Sequence, residues 1–341
     1  MENFLIYFFI LIIVFILCYY ILNRILKQRA ISHSNKFIPK ILKKTKLNFF
    51  FRENQQNWRV GVFQSKKEFL ELDAHYIEQL NWIKFKNSNK ELSIADPFLI
   101  KEKNLFYLFF EYENEKHLNK NADLAYATSN NGLDWSFQKK IIEEPFHQSF
   151  PNIFKEDGDY YMIPETYQAN EVRLYKATEF PNKWNLNTIL FQGKQFVDTV
   201  FLKKESLFYW ITTDLETSNL LLFYSNGLKE KWIIHPSSPI TSNNKNNRNA
   251  GAIIAENGKY YRVAQDGRAG YGSGINIYEI LTINKNSYIE ESVKEPLFYK
   301  SKGITKDAIH HISILNLEDK KLIAVDGANF AINGIKSKLK L

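Results

Sequence analysis

An all-β, five-bladed β-propeller behind a single N-terminal transmembrane helix is the fold class that the sequence predicts. Three observations predict it. A two-strand unit recurs five times along the chain. Aromatic residues make up 15% of it (27 Phe, 19 Tyr and 6 Trp), which suits pleated surfaces. Residues 4–22 form a run without a single charge.

That run comes first in the chain and reads FLIYFFILIIVFILCYYIL. As a helix, its 19 residues span about 28 Å at ~1.5 Å per residue, close to the hydrocarbon thickness of a bilayer. A buried core helix fits poorly, because the run is apolar all round and a basic stretch follows. A cleaved signal peptide also fits poorly. Glu2 and Asn3, not basic residues, precede the run, and no small-x-small site follows it. The expectation is an uncleaved anchor over residues 1–23.

The next element is a basic linker over residues 24–56. Arg24, Lys27, Arg29, Lys36, Lys40, Lys43, Lys44 and Lys46 follow one another with no acid between them. The 341-residue chain has 45 Lys+Arg against 37 Asp+Glu, a net charge of +8. Setting aside these eight and Glu2 leaves 37 basic and 36 acidic residues, a net of +1. The excess charge is therefore juxtamembrane. It places the following domain on the cytoplasmic side by the positive-inside bias and suits anionic headgroups. No basic stripe remains for nucleic acid, which excludes that class of partner. The one cysteine, Cys18, excludes a disulfide framework and a cysteine zinc site, and reads as a lipid-facing small hydrophobe.

Residues 57–335 then supply the propeller. The unit is a polar or small start, an apolar strand, a turn and an aromatic-rich strand. It occupies residues 95–111, 149–165, 197–213, 249–265 and, more weakly, 310–326, with starts 54, 48, 52 and 61 residues apart. Turns such as Glu156-Asp157-Gly158 and Glu256-Asn257-Gly258 mark each unit as a hairpin. Further strands are predicted at 123–128, 171–177, 220–225 and 274–280, often followed by a polar loop and a tryptophan: Trp135, Trp184, Trp232. Four short strands per period make one blade. Residues 57–88 are expected to add a closing strand near 58–63 and a short helix within 66–80. A β-sandwich with coincidental spacing is the weaker alternative.

In a blade, the start of strand one and the end of strand two meet at the same face. The starts give Asp96, Ser149, Asp198, Arg248 and the pair His310-His311. The ends give Glu111, Glu165, Thr213, Gln265 with Asp266, and Asp326. Their shared register gathers them at one mouth of the channel, where propellers bind ligands. Singly, each has a structural reading, such as Asp96 starting a strand before Pro97. Strand alternation lets at most one of His310 and His311 line the channel. No His/carboxylate spacing matches a metal motif, and no Gly-rich phosphate loop is present, so neither metal nor cofactor is predicted. The segment 266–274, DGRAGYGSG, reads as a mobile loop that brings Arg268 and Tyr271 to a sugar or phosphate.

The stretch 147–184, HQSFPNIFKEDGDYYMIPETYQANEVRLYKATEFPNKW, resembles the propeller domain at the N-terminus of plant glucosamine inositolphosphorylceramide transferases and their bacterial relatives. So do residues 95–99 (ADPFL), 232–236 (WIIHP) and 248–251 (RNAG), followed by Tyr261-Arg262 and Gln265-Asp266. The resemblance covers residues 57–300. That domain is in turn similar to five-bladed glycosidase propellers of the arabinanase, xylosidase and invertase type. Those enzymes use an Asp in the first blade, a second Asp in a later blade and a Glu as acid. The resemblance implies Asp96 as base or nucleophile, Glu165 as acid and Asp198 as the orienting carboxylate. The second-blade Asp is replaced by Ser149-Phe150-Pro151. The plant proteins continue into a glycosyltransferase domain. Here the propeller is followed by a short basic tail with Lys336, Lys338 and Lys340, so transferase activity is not assigned.

Three functions compete. The favoured one is a module that binds a glycan, nucleotide-sugar or glycolipid headgroup in envelope polysaccharide or glycoconjugate synthesis. Its binding set is Glu111, His147, Arg248, Gln265, Asp266, Tyr271 and His310. Phe150, Tyr167 and Tyr271 would stack on sugar faces, with Arg248 holding an anionic group. The second is a glycoside hydrolase or transglycosylase using Asp96, Glu165 and Asp198. The third is a protein scaffold for a separate glycosyltransferase.

Overall fold

The structure, a computed structural model, describes residues 56–87, 93–113 and 122–330. Among these residues, twenty strands form five four-stranded antiparallel sheets. Blade one is β3 (Ile94–Glu102), β4 (Leu105–Glu113), β5 (Ala122–Ser129) and β6 (Ser136–Ile142). Blade two is β7 (Ser149–Glu156), β8 (Asp159–Glu165), β9 (Glu171–Glu179) and β10 (Lys183–Gln192). Blade three is β11 (Phe196–Lys204), β12 (Leu207–Asp214), β13 (Leu220–Ser225) and β14 (Ile233–Ile234). Blade four is β15 (Ile254–Glu256), β16 (Lys259–Asp266), β17 (Gly274–Ile283) and β18 (Tyr288–Tyr299). Blade five closes the ring in the order β19 (Ile312–Asn316), β20 (Lys321–Phe330), β1 (Gln56–Ser65), β2 (Asn81–Trp82).

The turn chemistry explains the hairpins. Asp157 and Gly158 (φ 49° and 85°) and Asn257 and Gly258 (φ 52° and 76°) adopt the left-handed angles that tight hairpins require. Two of the tryptophans after strand three, Trp135 and Trp184, are plugs between blades. Trp135 is buried and donates its indole N–H to the Gly132 carbonyl at 3.1 Å, and Trp184 donates to Pro181 at 2.8 Å. Each satisfies its one polar atom on the loop three residues back and leaves the ring to the core. Trp135→Ala is expected to cost about 3–5 kcal/mol, read as a lower urea midpoint at an unchanged slope.

Two expectations change. The helix within 66–80 is one short turn, α1 (Ala74–Glu78), capped by Asp73 and preceded by a 3-10 turn at Phe69–Glu71. Phe69, Leu72, Ile77 and Leu80 face one hydrophobic cluster. Their spacing satisfies burial without a continuous helix. The first strand of the fourth repeat is only three residues long. Asn249 joins Ala264 by an isolated bridge, and Gly251 lies so close to the Ile312 carbonyl that a Cβ would sit 2.1 Å from it.

No helix among the described residues is long and apolar enough to cross a membrane. The apolar run 4–22 and the basic cluster 24–46 lie outside the described residues.

Candidate functional site at the channel mouth

The register brings strand-one starts and strand-two ends together. Ala95 lies opposite Glu111, Ser149 opposite Glu165 and Val197 opposite Thr213. The Gln265 N–H donates to the Arg248 carbonyl, and the Asp326 N–H to that of His311. Just after this pairing, blades one to three share a bulge. At each bulge one non-glycine residue is left-handed: Asp96 (φ 50°), Phe150 (φ 47°) and Asp198 (φ 51°). Such a conformation costs on the order of 1 kcal/mol or more and persists where neighbours fix it. Here the preceding blade fixes it. Each left-handed N–H donates to a buried carboxyl: Asp96 to Asp326 Oδ2 (3.2 Å), Phe150 to Asp96 Oδ2 (3.1 Å) and Asp198 to Glu165 Oε2 (3.3 Å).

Blade four holds Asp198 from the other side. Arg248 places Nε and Nη2 each 2.6 Å from Asp198 Oδ2. Asn249 donates to the Asp198 carbonyl at 2.7 Å, and Gln265 to Oδ2 at 3.3 Å. The Arg248 guanidinium sits 5.2 Å from the Tyr271 ring centre. Tyr271 meets His310 edge-on at 5.0 Å, and Trp58 stacks on His310 at 4.3 Å.

Burial drives the electrostatics. It pushes Asp96 up to about 7, against the pull of His310 and with the help of Asp326 and Asp198. Burial and neighbouring acids also raise Glu111 and Glu165 well above the carboxylate range. Burial opposes ionisation of Asp326, but His310, 2.7 Å away at Nδ1, outweighs it and holds that carboxyl low. Burial likewise opposes a charged His310, and Asp326 and Asp96 outweigh it, so His310 is raised. For His311, burial outweighs the pull of Asp326 and, with His310 beside it, drops it to about 3. Asp96, His310 and Asp326 bring one ligand atom each within 4.8 Å of one another. Asp326, however, accepts from the Asp96, His310 and His311 N–H groups as well as facing the ring. That is a histidine–carboxylate pair with its acceptors already engaged.

Most predicted site residues come together here: Asp96, Glu111, Glu165, Asp198, Arg248, Gln265, Tyr271 and His310. His147 joins them, its Nε2 3.9 Å from Glu111 Oε1 and its ring 5.7 Å from that of Tyr167. Asp266 does not join. Its carboxylate turns to Arg268, 2.6 Å away, which overcomes burial and lowers it. Arg268 is thereby occupied as well. The loop 266–274 is pinned, since Gly272 accepts from the Ile309 N–H at 2.7 Å. Phe150 is fully buried, wedged edge-on against Phe98 and His311, so it cannot stack on a sugar. Arg248 holds a carboxylate of this chain rather than an external anion. Both histidines reach residues of other blades. The pair precedes β19, so strand alternation does not separate them. Sequence reasoning missed Trp58 as a site residue and Asp326 as the hub. The only signal for Asp326 was its place at a strand-two end.

Residues 83–328 match the family described as glucosamine inositolphosphorylceramide transferase 1, N-terminal. The chain is 30% identical over 246 residues to glucosamine inositolphosphorylceramide transferase 1 of Oryza sativa subsp. japonica, covering 68% of this chain and 32% of the relative. It is 28% identical over 306 residues to the Arabidopsis thaliana protein of the same name, covering 81% of this chain and 39% of the relative. The chain thus spans about a third of the length of these curated relatives. Among solved structures, the catalytic domain of Coprinopsis cinerea GH62 α-L-arabinofuranosidase superposes with a TM-score of 0.53 at 11% identity, covering 73% of this chain and 96% of that one. An exo-β-1,3-galactanase from Clostridium thermocellum gives 0.51 at 14% identity, covering 70% and 59%. These likenesses show the fold alone. By its sequence and its five-bladed fold, this chain belongs to the family of the glucosamine inositolphosphorylceramide transferase 1 N-terminal domain.

Proposed function

We propose that the chain is a membrane-anchored, carbohydrate-binding propeller that serves glycoconjugate synthesis, with the mouth between Asp96, Glu165 and Arg248 as its binding site. One observation carries the reading. In the second blade, Phe150 takes the left-handed bulge position that Asp96 and Asp198 take in blades one and three, and its ring lies inside the channel wall. An acid-lined mouth is kept, while one carboxyl of the expected hydrolytic set is replaced by a plug. The anchor is residues 4–22, and the basic cluster at 24–46 supports a cytoplasmic propeller. The ligand is a glycan or a glycolipid headgroup. Arg248 is already paired to Asp198, which weakens the case for a nucleotide-sugar diphosphate.

The second reading is a glycoside hydrolase or transglycosylase. It is favoured by Asp96 and Glu165, two buried carboxyls with raised proton affinity in one cup, as a general acid needs. Asp96→Asn and Glu165→Gln separate the two. Under the binding reading, a glycan array probed with the full chain gives hits that release no sugar on incubation. Sugar release by the wild-type chain that either substitution abolishes, with glycan capture retained, establishes the enzyme instead.

A further inference from the structure

Exposed large apolar side chains are scattered singly over the described blades, with one exception. Ile233 and Ile234, 44% and 54% exposed, are adjacent in β14, the open outer edge of blade three. Single exposed aliphatics are ordinary on a protein surface, whereas an adjacent pair on an open edge calls for a cover. Half-buried Trp232 precedes them, its ring centre 5.8 Å from that of Trp210. The indole N–H groups of Trp135 and Trp184 are bonded, but that of Trp232 has no acceptor among the described residues. Turning this ring outward therefore breaks no hydrogen bond. The flanks are basic. Lys229 and Lys231 are exposed and have no ion pair among the described residues. After β14, the His235 N–H donates to the Leu222 carbonyl at 2.8 Å, and its Nε2 lies 2.7 Å from the Asn284 carbonyl. This holds the segment beside the outer hairpin of blade four. That hairpin brings Lys285, whose Nζ sits 5.8 Å from the ring centre of Tyr224, the residue paired with Ile233. Lys204 reaches the same hairpin at the Ile283 carbonyl, 3.3 Å away. Residues 204–205, 226–235 and 283–287 together carry four lysines and two glutamates, so the surround of the apolar edge is positive.

We infer that this edge of blade three docks on a lipid bilayer that carries anionic headgroups. Trp232, Ile233 and Ile234 enter the boundary between headgroups and acyl chains, and the lysines meet lipid phosphates. Binding at that depth needs both parts together: apolar side chains that leave water and cations that meet anionic lipid. Tryptophan favours the same boundary, because its ring is apolar and its N–H finds acceptors there. A second copy of the chain fits less well. β14 offers a two-residue strand to pair with, and the lysines of two copies would face one another. The surface uses neither the mouth nor residues 4–22, so the inference goes beyond the carbohydrate-binding reading and stands or falls apart from it.

The test is quenching of tryptophan emission by brominated lipid. All six tryptophans lie between residues 58 and 232, and residues 4–22 contain none, so insertion of that run by itself leaves the emission unchanged. The full chain is reconstituted into vesicles of brominated phosphatidylcholine with phosphatidylglycerol, beside vesicles of the same composition without bromine. The expected result is a partial loss of emission, on the order of one indole among six. Trp232→Phe is expected to abolish the loss. Ile233→Asp with Ile234→Asp, at exposed positions, is expected to reduce it severalfold, as is Lys229→Glu with Lys231→Glu. Replacing phosphatidylglycerol by phosphatidylcholine is expected to weaken it. Unquenched emission in the anionic vesicles overturns the inference, and so does quenching that survives Trp232→Phe. A dimer in nonionic detergent that the paired isoleucine substitutions dissociate assigns the surface to a second copy and overturns it as well. Glycan capture by the isoleucine variants is expected to equal that of the wild type, which keeps this result separate from the test of the mouth.

Discussion

Asp96→Asn is expected to flatten the pH dependence of stability. Asp96 ionises near 3.8 as an ordinary carboxyl and at about 7 in the fold, so the native state holds its proton more tightly. That contribution is fully present below about pH 4 and is lost as pH rises through 7. A three-unit difference corresponds to about 4 kcal/mol. Glu111 and Glu165, also raised, act in the same direction. His310 is raised too, and its contribution likewise fades as pH rises through its folded pKa, whereas Asp326, held low, loses its contribution on acidification. Urea unfolding at steps from pH 4 to pH 8 isolates the Asp96 share. The wild type should lose stability across this range, and the variant should lose less by roughly that amount. The asparagine oxygen still accepts from the Phe150 N–H, which limits collateral damage. Parallel profiles for the two proteins refute the buried, proton-holding Asp96.

The second large effect lies behind the site. Arg262 is fully buried in β16 and pairs in two-pronged fashion with Glu290 of β18, at 2.7 and 2.6 Å. Its remaining nitrogen donates to Asn249 Oδ1 at 3.4 Å, and Asn249 in turn donates to the Asp198 and Ile211 carbonyls. Arg262→Met leaves Glu290 buried without its counter-charge and is expected to cost about 3–5 kcal/mol. Arg262→Met combined with Glu290→Leu should recover most of that loss, because two apolar side chains replace a desolvated pair. Chemical denaturation of the single and double variants decides the matter. A double variant as unstable as the single one shows that the pair acts through Asn249 rather than through its own charges.

Much of the ring was legible because a blade is a local object. Hairpin turns such as Asp157-Gly158 need particular residues, and aromatic strands such as 207–214 carry their burial in their composition. The carboxyl register was legible for the same reason: Asp96, Glu111 and Glu165 occupy fixed offsets in a repeat. Contributions from distant segments were not legible. The closing strand near 58–63 was expected, but that Trp58 lies against His310 depends on the register of β1 on β20, which no local pattern encodes. Phe150 looked like a sugar-stacking ring, but its left-handed backbone turns it into the wall. Asp266 matched the repeat and was then captured by Arg268, two residues away, in a loop whose shape the repeat does not specify.

The closing blade has a temporal consequence. β1 and β20 pair over ten residues, from Gln56 with Phe330 to Ser65 with Lys321, across roughly 260 residues of chain. During synthesis, β1 emerges first and its partner last, so an apolar strand carrying Val60 and Val62 waits through four blades with an unsatisfied edge. The ring can only be latched once β20 has emerged. A chain cut between Tyr299 and Lys321 therefore has four complete blades and an open seam, which is the species that a quality-control protease or a holdase chaperone would meet.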